Sequence, residues 1–360
     1  MTDEIYHKVA KVLDALPNGF PPTPDGLEIK LLKKVFTPDE AELFCDLKLS
    51  LETAEQIAAR TGRPLEGLEA KLASMAKRGE LMGIDFGGTK LFAMQPWAVG
   101  IWEFQIGRMD REFCELSERY MAHFAGRLFG VKPQVMRTLP IQAEIPVSHR
   151  SLPYQQVSTI IENGKGFRVN ECICKKERGM LGAPCKKPVE VCLAISPVEG
   201  AGFILEWGRE ITKEQAYQLL REAEEAGLVH LTSNVENGNT FICNCCSCCC
   251  GVLRSVNELD VPGAVNSDFY AEIEGDECDW CGVCLEEKGC QVRAIEEGDT
   301  AYRVIKERCI GCGLCVTACP RDAIKLVAKP QQEIIAPPTD MRAWNDARAN
   351  QRSVDYTAYK

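Results

Sequence analysis

The sequence lacks the long apolar segment that a membrane-spanning helix requires. Such a helix needs about 18 uninterrupted apolar residues, whereas the longest uncharged candidate, from Leu91 to Trp102, is shorter and contains Pro96 and Gly100. The N-terminus also lacks the basic and then apolar order of a secretory signal peptide. We therefore predict a cytoplasmic protein that does not insert into a membrane.

Positive charge and recognisable catalytic motifs are also scarce. The chain has 42 Lys and Arg against 52 Asp and Glu, a net charge of −10, and a general nucleic-acid binder needs the opposite balance to meet phosphates. The sequence contains no Ser/His/Asp set, no paired-carboxylate motif and no dinucleotide-binding fingerprint. Any catalysis would therefore have to be metal-based.

Cysteine, by contrast, is abundant, with 20 in 360 residues. In a large protein of the reducing cytosol, clustered thiols indicate metal ligation rather than disulfides. Cys45 and Cys114 stand apart from the clusters, and we assign both to packing, since free cysteine is commonly buried. The length predicts about two to four domains, and the mixture of helical and strand patterns predicts a multidomain α+β chain.

Residues 1–100 are predicted to form a winged-helix-like domain. Gly26–Phe36 carries apolar residues at helical spacing, and capping boxes at Thr37–Glu40 and Thr53–Gln56 each begin a helix. A further helix is predicted over Pro64–Arg78. The predicted buried face of this helix holds Leu65, Leu68, Leu72 and Met75.

Two β-like runs on either side of Gly87 and Gly88 complete the predicted domain as a hairpin. In such a fold the Pro64–Arg78 helix would be the DNA-reading element. Residues 1–95, however, hold 12 Lys and Arg against 15 Asp and Glu, and a net-acidic domain is a poor match to phosphates. We expect a protein-contact scaffold and treat DNA as a disfavoured partner.

Residues 101–150 are predicted to be a helical connector. Met109–Phe129 has helical periodicity, and an extended stretch punctuated by Pro133, Pro140 and Pro146 follows it.

Residues 151–260 are predicted to be a cysteine-rich α+β domain. A capping box at Thr212 begins a helix that ends at Gly227, and two strand-like runs on either side of a polar turn then form a hairpin. This order repeats the pattern of 64–94 and indicates a second winged-helix-like unit. The hairpin leads directly into a run of six cysteines.

Ten cysteines of this region are candidate metal ligands. Adjacent cysteines in an extended segment point to opposite faces, so at most alternate residues would serve one centre. Cys172, Cys185 and Cys192 could complete a four-thiolate site with the later group. The ten residues suffice for one or two iron–sulfur clusters in addition to any held by the C-terminal cysteines, with zinc as the alternative. They are Cys172, Cys174, Cys185, Cys192, Cys243, Cys245, Cys246, Cys248, Cys249 and Cys250.

Basic residues accompany these thiols. Lys165–Pro188 holds seven Lys and Arg against two Glu, and nearby positive charge favours thiolate over thiol. The same patch could dock an acidic partner.

The C-terminal cysteines have a more specific spacing. Cys309 to Pro320 reads C-x2-C-x2-C-x3-C-P, and Cys278, Cys281 and Cys284 open a second copy that Cys290 closes. Three cysteines at two-residue gaps wrap a loop around one cubane, while the fourth reaches the other cubane. Gly282, Gly311 and Gly313 remove Cβ atoms, so the backbone can approach the sulfides.

On these motifs, residues from about 264 to 328 resemble a bacterial-type ferredoxin with two 4Fe–4S clusters, and we place this domain at 261–328. The resemblance implies Cys278, Cys281, Cys284 and Cys319 as ligands of one cluster, and Cys290, Cys309, Cys312 and Cys315 as ligands of the other. The chain departs from the family where five residues, Leu285 to Gly289, precede Cys290, and where Gln291 replaces the usual proline.

The ferredoxin-like region is acidic. Residues 264–328 hold 13 Asp and Glu against 7 Lys and Arg, which suits docking on a basic redox partner. The remaining residues, 329–360, are predicted to be a flexible tail.

Three functions remain open on the sequence. The first is an iron–sulfur electron-transfer protein, or a subunit of an oxidoreductase complex, whose layout resembles large iron–sulfur proteins of anaerobes. The second is a redox-sensing winged-helix transcription regulator. The third is a metal-based redox enzyme in which residues 243–250 hold an unusual cluster with an open iron.

Overall fold

The computed structural model describes residues 2–141, 156–205, 207–261 and 263–360, and Pro146 of the predicted connector lies outside them. The helices of the described residues are α1 (Thr2–Ala15), α2 (Leu27–Val35), α3 (Pro38–Phe44), α4 (Ala54–Thr61), α5 (Leu68–Lys77), α6 (Arg111–Phe129), α7 (Val157–Asn163), α8 (Ile173–Met180), α9 (Lys213–Glu225), α10 (Gly251–Glu258), α11 (Leu314–Ala318) and α12 (Met341–Arg352). The strands are β1 (Met82–Phe86), β2 (Thr89–Ala93), β3 (Met136–Leu139), β4 (Gly166–Glu171), β5 (Glu190–Ser196), β6 (Ala201–Phe203), β7 (Arg209–Ile211), β8 (Val229–Ser233), β9 (Phe241–Cys245), β10 (Val265–Asn266), β11 (Phe269–Ile273), β12 (Ile295–Glu297), β13 (Tyr302–Val304) and β14 (Ile324–Ala328).

The predicted capping boxes form as the sequence indicates. The Thr37 hydroxyl accepts a hydrogen bond from the backbone N–H of Glu40, and the Glu40 carboxylate accepts one from the backbone N–H of Thr37. Helix α3 begins at this capping box. Thr53 and Gln56 make the same exchange at the start of α4. Both helix starts are therefore set by local side-chain chemistry, and both predictions are confirmed.

Two features of the N-terminal region differ from the sequence prediction. Helix α5 begins at Leu68 and not at Pro64, because Gly67 adopts a left-handed conformation with φ of 74°. Leu65 therefore lies outside the helix and is 48% exposed, whereas Leu72 and Met75 are buried as predicted. Helix α1 lies outside the predicted helices and precedes a segment that contains Pro17, Pro21, Pro22 and Pro24.

The predicted hairpin of β1 and β2 is present and gains a third strand. Strand β1 pairs antiparallel with β2 on one side and with β6 on the other. Because β6 lies in the cysteine-rich region, this small sheet joins the first and third predicted domains.

A seven-stranded sheet in the order β10-β3-β8-β9-β5-β4-β7 forms the centre of the molecule. Its pairs are antiparallel except β10 with β3. Strand β3 comes from the predicted connector, and β10 comes from the start of the predicted ferredoxin-like region. Both strands are too short to show an alternating pattern in sequence, so the sequence could not assign them to this sheet.

The C-terminal segment is not a loose tail over its whole length. Asp340 caps α12, and the side chains of Trp344 and Arg348 on this helix are buried. The Arg348 guanidinium donates hydrogen bonds to the carbonyl oxygens of Pro17 at 3.1 Å and Val131 at 2.7 Å. The prediction of a flexible tail is therefore wrong for α12, because its polar sequence conceals contacts with carbonyls more than 200 residues away in sequence.

Among the described residues, no helix combines the length and apolar character needed to cross a bilayer.

Arg348→Ala should lower the free energy of unfolding by about 3 kcal/mol, because it leaves several buried carbonyl oxygens without a donor. Arg342 is an exposed arginine on the same helix, and Arg342→Ala should change stability by less than about 0.5 kcal/mol. Urea unfolding under anaerobic conditions measures both variants. Equal stability of the two would contradict the role assigned to Arg348.

Candidate metal centres

Four cysteines from both sequence repeats line one cavity of the C-terminal region. Two antiparallel strand pairs shape this region, β11 with β14 and β12 with β13. The first cavity contains about 320 Å³ of space outside protein atoms, including the part open to solvent. Its thiols are those of Cys278, Cys281, Cys284 and Cys319.

The other four cysteines line a second cavity of the same size, about 320 Å³. Ala271, Ile295 and Val304 contribute an apolar lining. Its thiols are those of Cys290, Cys309, Cys312 and Cys315. The structure thus brings the eight cysteines together in the two sets of four that the ferredoxin resemblance implies.

Left-handed backbone positions recur in the two cysteine loops. Gly282 and Gly313 have φ of 75° and 83°, and Trp280 and Gly311 have φ of 59° and 62°. At Gly311 a Cβ atom would lie 2.3 Å from the carbonyl oxygen of Phe269, so glycine is required there for space as well as for conformation.

Backbone N–H groups point at the sulfur atoms of the second cavity. The amide of Ala294 donates to Cys290 Sγ at 3.2 Å, and the amide of Ala271 donates to Cys309 Sγ at 3.4 Å. Such donors favour the thiolate and tune the potential of a bound iron–sulfur cluster. Burial meanwhile raises the pKa of Cys312 to about 12, so metal binding would release a proton there.

The ten cysteines of the middle region fall into two groups. We call the first the tetrathiol group, which consists of Cys185, Cys246, Cys248 and Cys249. The Sγ atoms of this group all lie within 4.8 Å of one another. Hydrogen bonds with Cys249 and Cys248, together with the charge of Lys175, lower the pKa of Cys246 to about 5.

We call the second the hexathiol group, which consists of Cys172, Cys174, Cys192, Cys243, Cys245 and Cys250. The thiol of Cys250 interacts with those of Cys174 and Cys245, which hold its pKa well below the usual range. The thiols of Cys192 and Cys245 similarly lower the pKa of Cys243 to about 5. The group therefore forms a chain of interacting sulfur atoms in which some members favour the thiolate.

These two groups correct the sequence prediction in two respects. Cys185 lies with Cys246 and Cys248, whereas Cys192 lies with Cys243, so the structure does not bring Cys185 and Cys192 into one four-thiol site. Cys248 and Cys249 are adjacent in sequence and both belong to the tetrathiol group. They can do so because β9 ends at Cys245 and the following residues form a turn. Side chains alternate between faces only in the extended part.

Sequence reasoning missed the residues that join the tetrathiol group to the C-terminal region. The backbone N–H of Ser247, within the cysteine run, donates to the side-chain carbonyl of Gln291 at 3.2 Å. The Gln291 amide in turn donates to the carbonyl of Glu287 at 2.8 Å. Gln291 itself was the available signal for this contact. It follows Cys290, where the ferredoxin pattern has proline, and a buried polar side chain at that position needs a hydrogen-bond partner.

Lys187 of the middle region also contacts the C-terminal region. Its ammonium group is buried and donates to the carbonyl oxygens of Gly227 at 2.9 Å and Glu287 at 2.8 Å. The longer loop before Cys290 thus rests against the middle region, which gives the five intervening residues a packing role.

Gly311→Ala should lower the free energy of unfolding by more than about 3 kcal/mol, because left-handed strain adds to a backbone clash. Gly282 has the same left-handed conformation, but its nearest neighbour to an added Cβ is Tyr302 Oη at 3.6 Å. Gly282→Ala should therefore cost only about 1–2 kcal/mol. Anaerobic urea unfolding compares the variants, and an equal loss in both would show that the close approach at Gly311 has no consequence.

Comparison with known proteins gives one match within the C-terminal region. The 4Fe-4S binding domain family matches residues 302–325, a stretch that contains β13, Cys309, Cys312, Cys315 and Cys319. No curated protein and no solved structure matches the chain. The chain thus carries a 4Fe–4S binding domain at residues 302–325, and its middle region contains a group of four cysteines placed to hold a metal ion.

Proposed function

We propose that this protein is an iron–sulfur electron-transfer protein, or the electron-transfer subunit of an oxidoreductase complex, with two 4Fe–4S clusters in residues 261–328. One observation carries the proposal: eight cysteines from two sequence repeats line two separate cavities, four to each. The donor chemistry fits, because all four ligands of each set are thiols and the remaining lining is largely apolar.

Each cavity has its own set of ligands in this proposal. Cys278, Cys281, Cys284 and Cys319 would hold one cluster, and Cys290, Cys309, Cys312 and Cys315 would hold the other. A bound 4Fe–4S cluster supplies reversible one-electron chemistry. The protein supplies the ligands, the backbone donors to sulfur and the exclusion of water.

The region between the cavities is packed with apolar side chains. Cys284 of the first set and Cys315 of the second set are buried in one apolar cluster with Ile295 and Ile324. The two sets are therefore neighbours across a dry interior, which favours transfer of an electron from one to the other.

The first cavity is the better entry point for electrons. Cys281 is exposed there, and the neighbouring Trp280 side chain is 40% exposed. The acidic surface of this region suits a redox partner with a basic docking face.

The second cavity faces the rest of the protein. The backbone N–H of Ile141 donates to the carbonyl of Cys312 at 3.1 Å. Arg308, adjacent to Cys309, donates to the carbonyl of Val256 on α10 at 2.9 Å. Electrons that enter at the first cavity would therefore move inward, toward the cysteines of the middle region.

Residues 1–100 would serve as a protein-contact scaffold of winged-helix type. On the candidate DNA-reading helix, Lys71 pairs with Asp39, and Arg78 just beyond it pairs with Glu80 at 2.7 Å. Internal pairing leaves these cations poorly placed to meet phosphates, so the regulator hypothesis is disfavoured. The cysteine-rich region and the C-terminal region would be the metal-binding parts of the chain.

Protein purified without oxygen should contain at least about eight iron atoms and eight sulfides per chain. Cys312→Ser should lower both by about four and reduce the one-electron EPR signal of the dithionite-reduced protein. Cys45 stands apart from all the thiol groups, and Cys45→Ser should leave both unchanged. Colourless protein that accepts no electrons from dithionite would refute the proposal.

A further inference from the structure

We propose that the tetrathiol group binds a single divalent metal ion in tetrahedral geometry, with Zn²⁺ as the best match, and does not bind a cubane. This site goes beyond the proposed electron-transfer function and does not depend on it.

The sulfur–sulfur distances indicate one ion. Cys185 Sγ lies 3.7 Å from Cys246 Sγ and 3.8 Å from Cys248 Sγ. Cys248 Sγ lies 3.4 Å from Cys246 Sγ and 3.6 Å from Cys249 Sγ. Four thiolates at about 2.3 Å from one tetrahedral ion are separated by about 3.8 Å.

A cubane requires a wider arrangement. Each of its four thiolates binds a different iron atom, so the sulfur atoms are spread around the outside of the cluster. Each set of four cysteines in the C-terminal region is arranged around a cavity. The tetrathiol group has its sulfur atoms in mutual contact instead.

The surrounding charge also matches one divalent ion. Four thiolates around a divalent cation carry a net charge of −2. Lys175 and Lys187 are both buried, at 2% and 8% exposed. The charge of Lys175 interacts with the thiol of Cys246, and that of Lys187 interacts with the thiols of Cys246, Cys248 and Cys185. The two buried ammonium groups therefore offset the negative charge that four thiolates around a divalent ion carry.

The location gives the ion a structural role. Cys185 lies in the loop after α8, and the other three ligands lie in the turn before α10. The same turn receives Gln291 of the C-terminal region, and a Cβ atom at Gly227 would lie only 2.7 Å from Lys288 Cα. An ion that fixes this turn would hold the Cys290 loop against the middle region.

X-ray absorption at the zinc edge of the intact chain, purified without oxygen, tests the site directly. We expect about one zinc per chain with four sulfur neighbours at about 2.3 Å and no neighbouring metal. A chain without zinc, or a metal neighbour in the first few ångströms, would overturn the proposal.

Two variants test the ligands independently. Cys185→Ser and Cys248→Ser should lose zinc while keeping iron and sulfide at the level of the unsubstituted protein, and Cys45→Ala is the matched control that should keep all three. Loss of iron and sulfide together with the thiol would overturn the single-ion site. If the electron-transfer proposal alone were wrong, iron and sulfide would be low in the unsubstituted protein while its zinc remained.

Discussion

The crowding of sulfur atoms from distant parts of the chain is the constraint on which this fold depends. Cys185 meets Cys246 across 61 positions in sequence at 3.7 Å, and Cys284 and Cys319 share a cavity although they belong to different repeats. Thiolates at such distances repel one another unless a metal neutralises them. Metal binding and folding are therefore coupled, because the ligands meet only in the folded chain.

The rest of the architecture holds these ligands in place. Strand β9 delivers Cys243 and Cys245 on one face of the central sheet, and the turn that follows reverses the chain toward α10. Strands β3 and β10 add the predicted connector and the C-terminal region to the same sheet. Helix α12 returns to the N-terminal residues through Arg348. Segments that look like separate domains in sequence are thus joined by shared strands and by a few long-range hydrogen bonds.

The two cysteine-lined cavities of the C-terminal region have different surroundings. The first cavity has an exposed cysteine and acidic surroundings, whereas the second cavity packs against Ile141 of the predicted connector and against α10 of the middle region. The loop before Cys290 contacts Lys187, which lies beside the tetrathiol group. The loop before Cys290, where the cysteine spacing departs from the ferredoxin pattern, is therefore one of several contacts between the C-terminal region and the rest of the chain.

The sequence by itself determined the features whose causes are local. The capping boxes at Thr37 and Thr53 and the hairpin around Gly87 and Gly88 all follow from residues within a few positions of one another. The spacing of the eight C-terminal cysteines likewise belongs to short loops, and the 4Fe–4S family match covers the second of them.

Only the tertiary structure decided which of the ten middle cysteines lie together, where Leu65 and α12 lie, and what Gln291 contacts. Spacing could not divide the cysteine run, because its last residues leave the extended conformation and their partners lie about 60 or more positions away. Contacts across such separations depend on how strands and helices pack, and short-range sequence patterns do not record that packing.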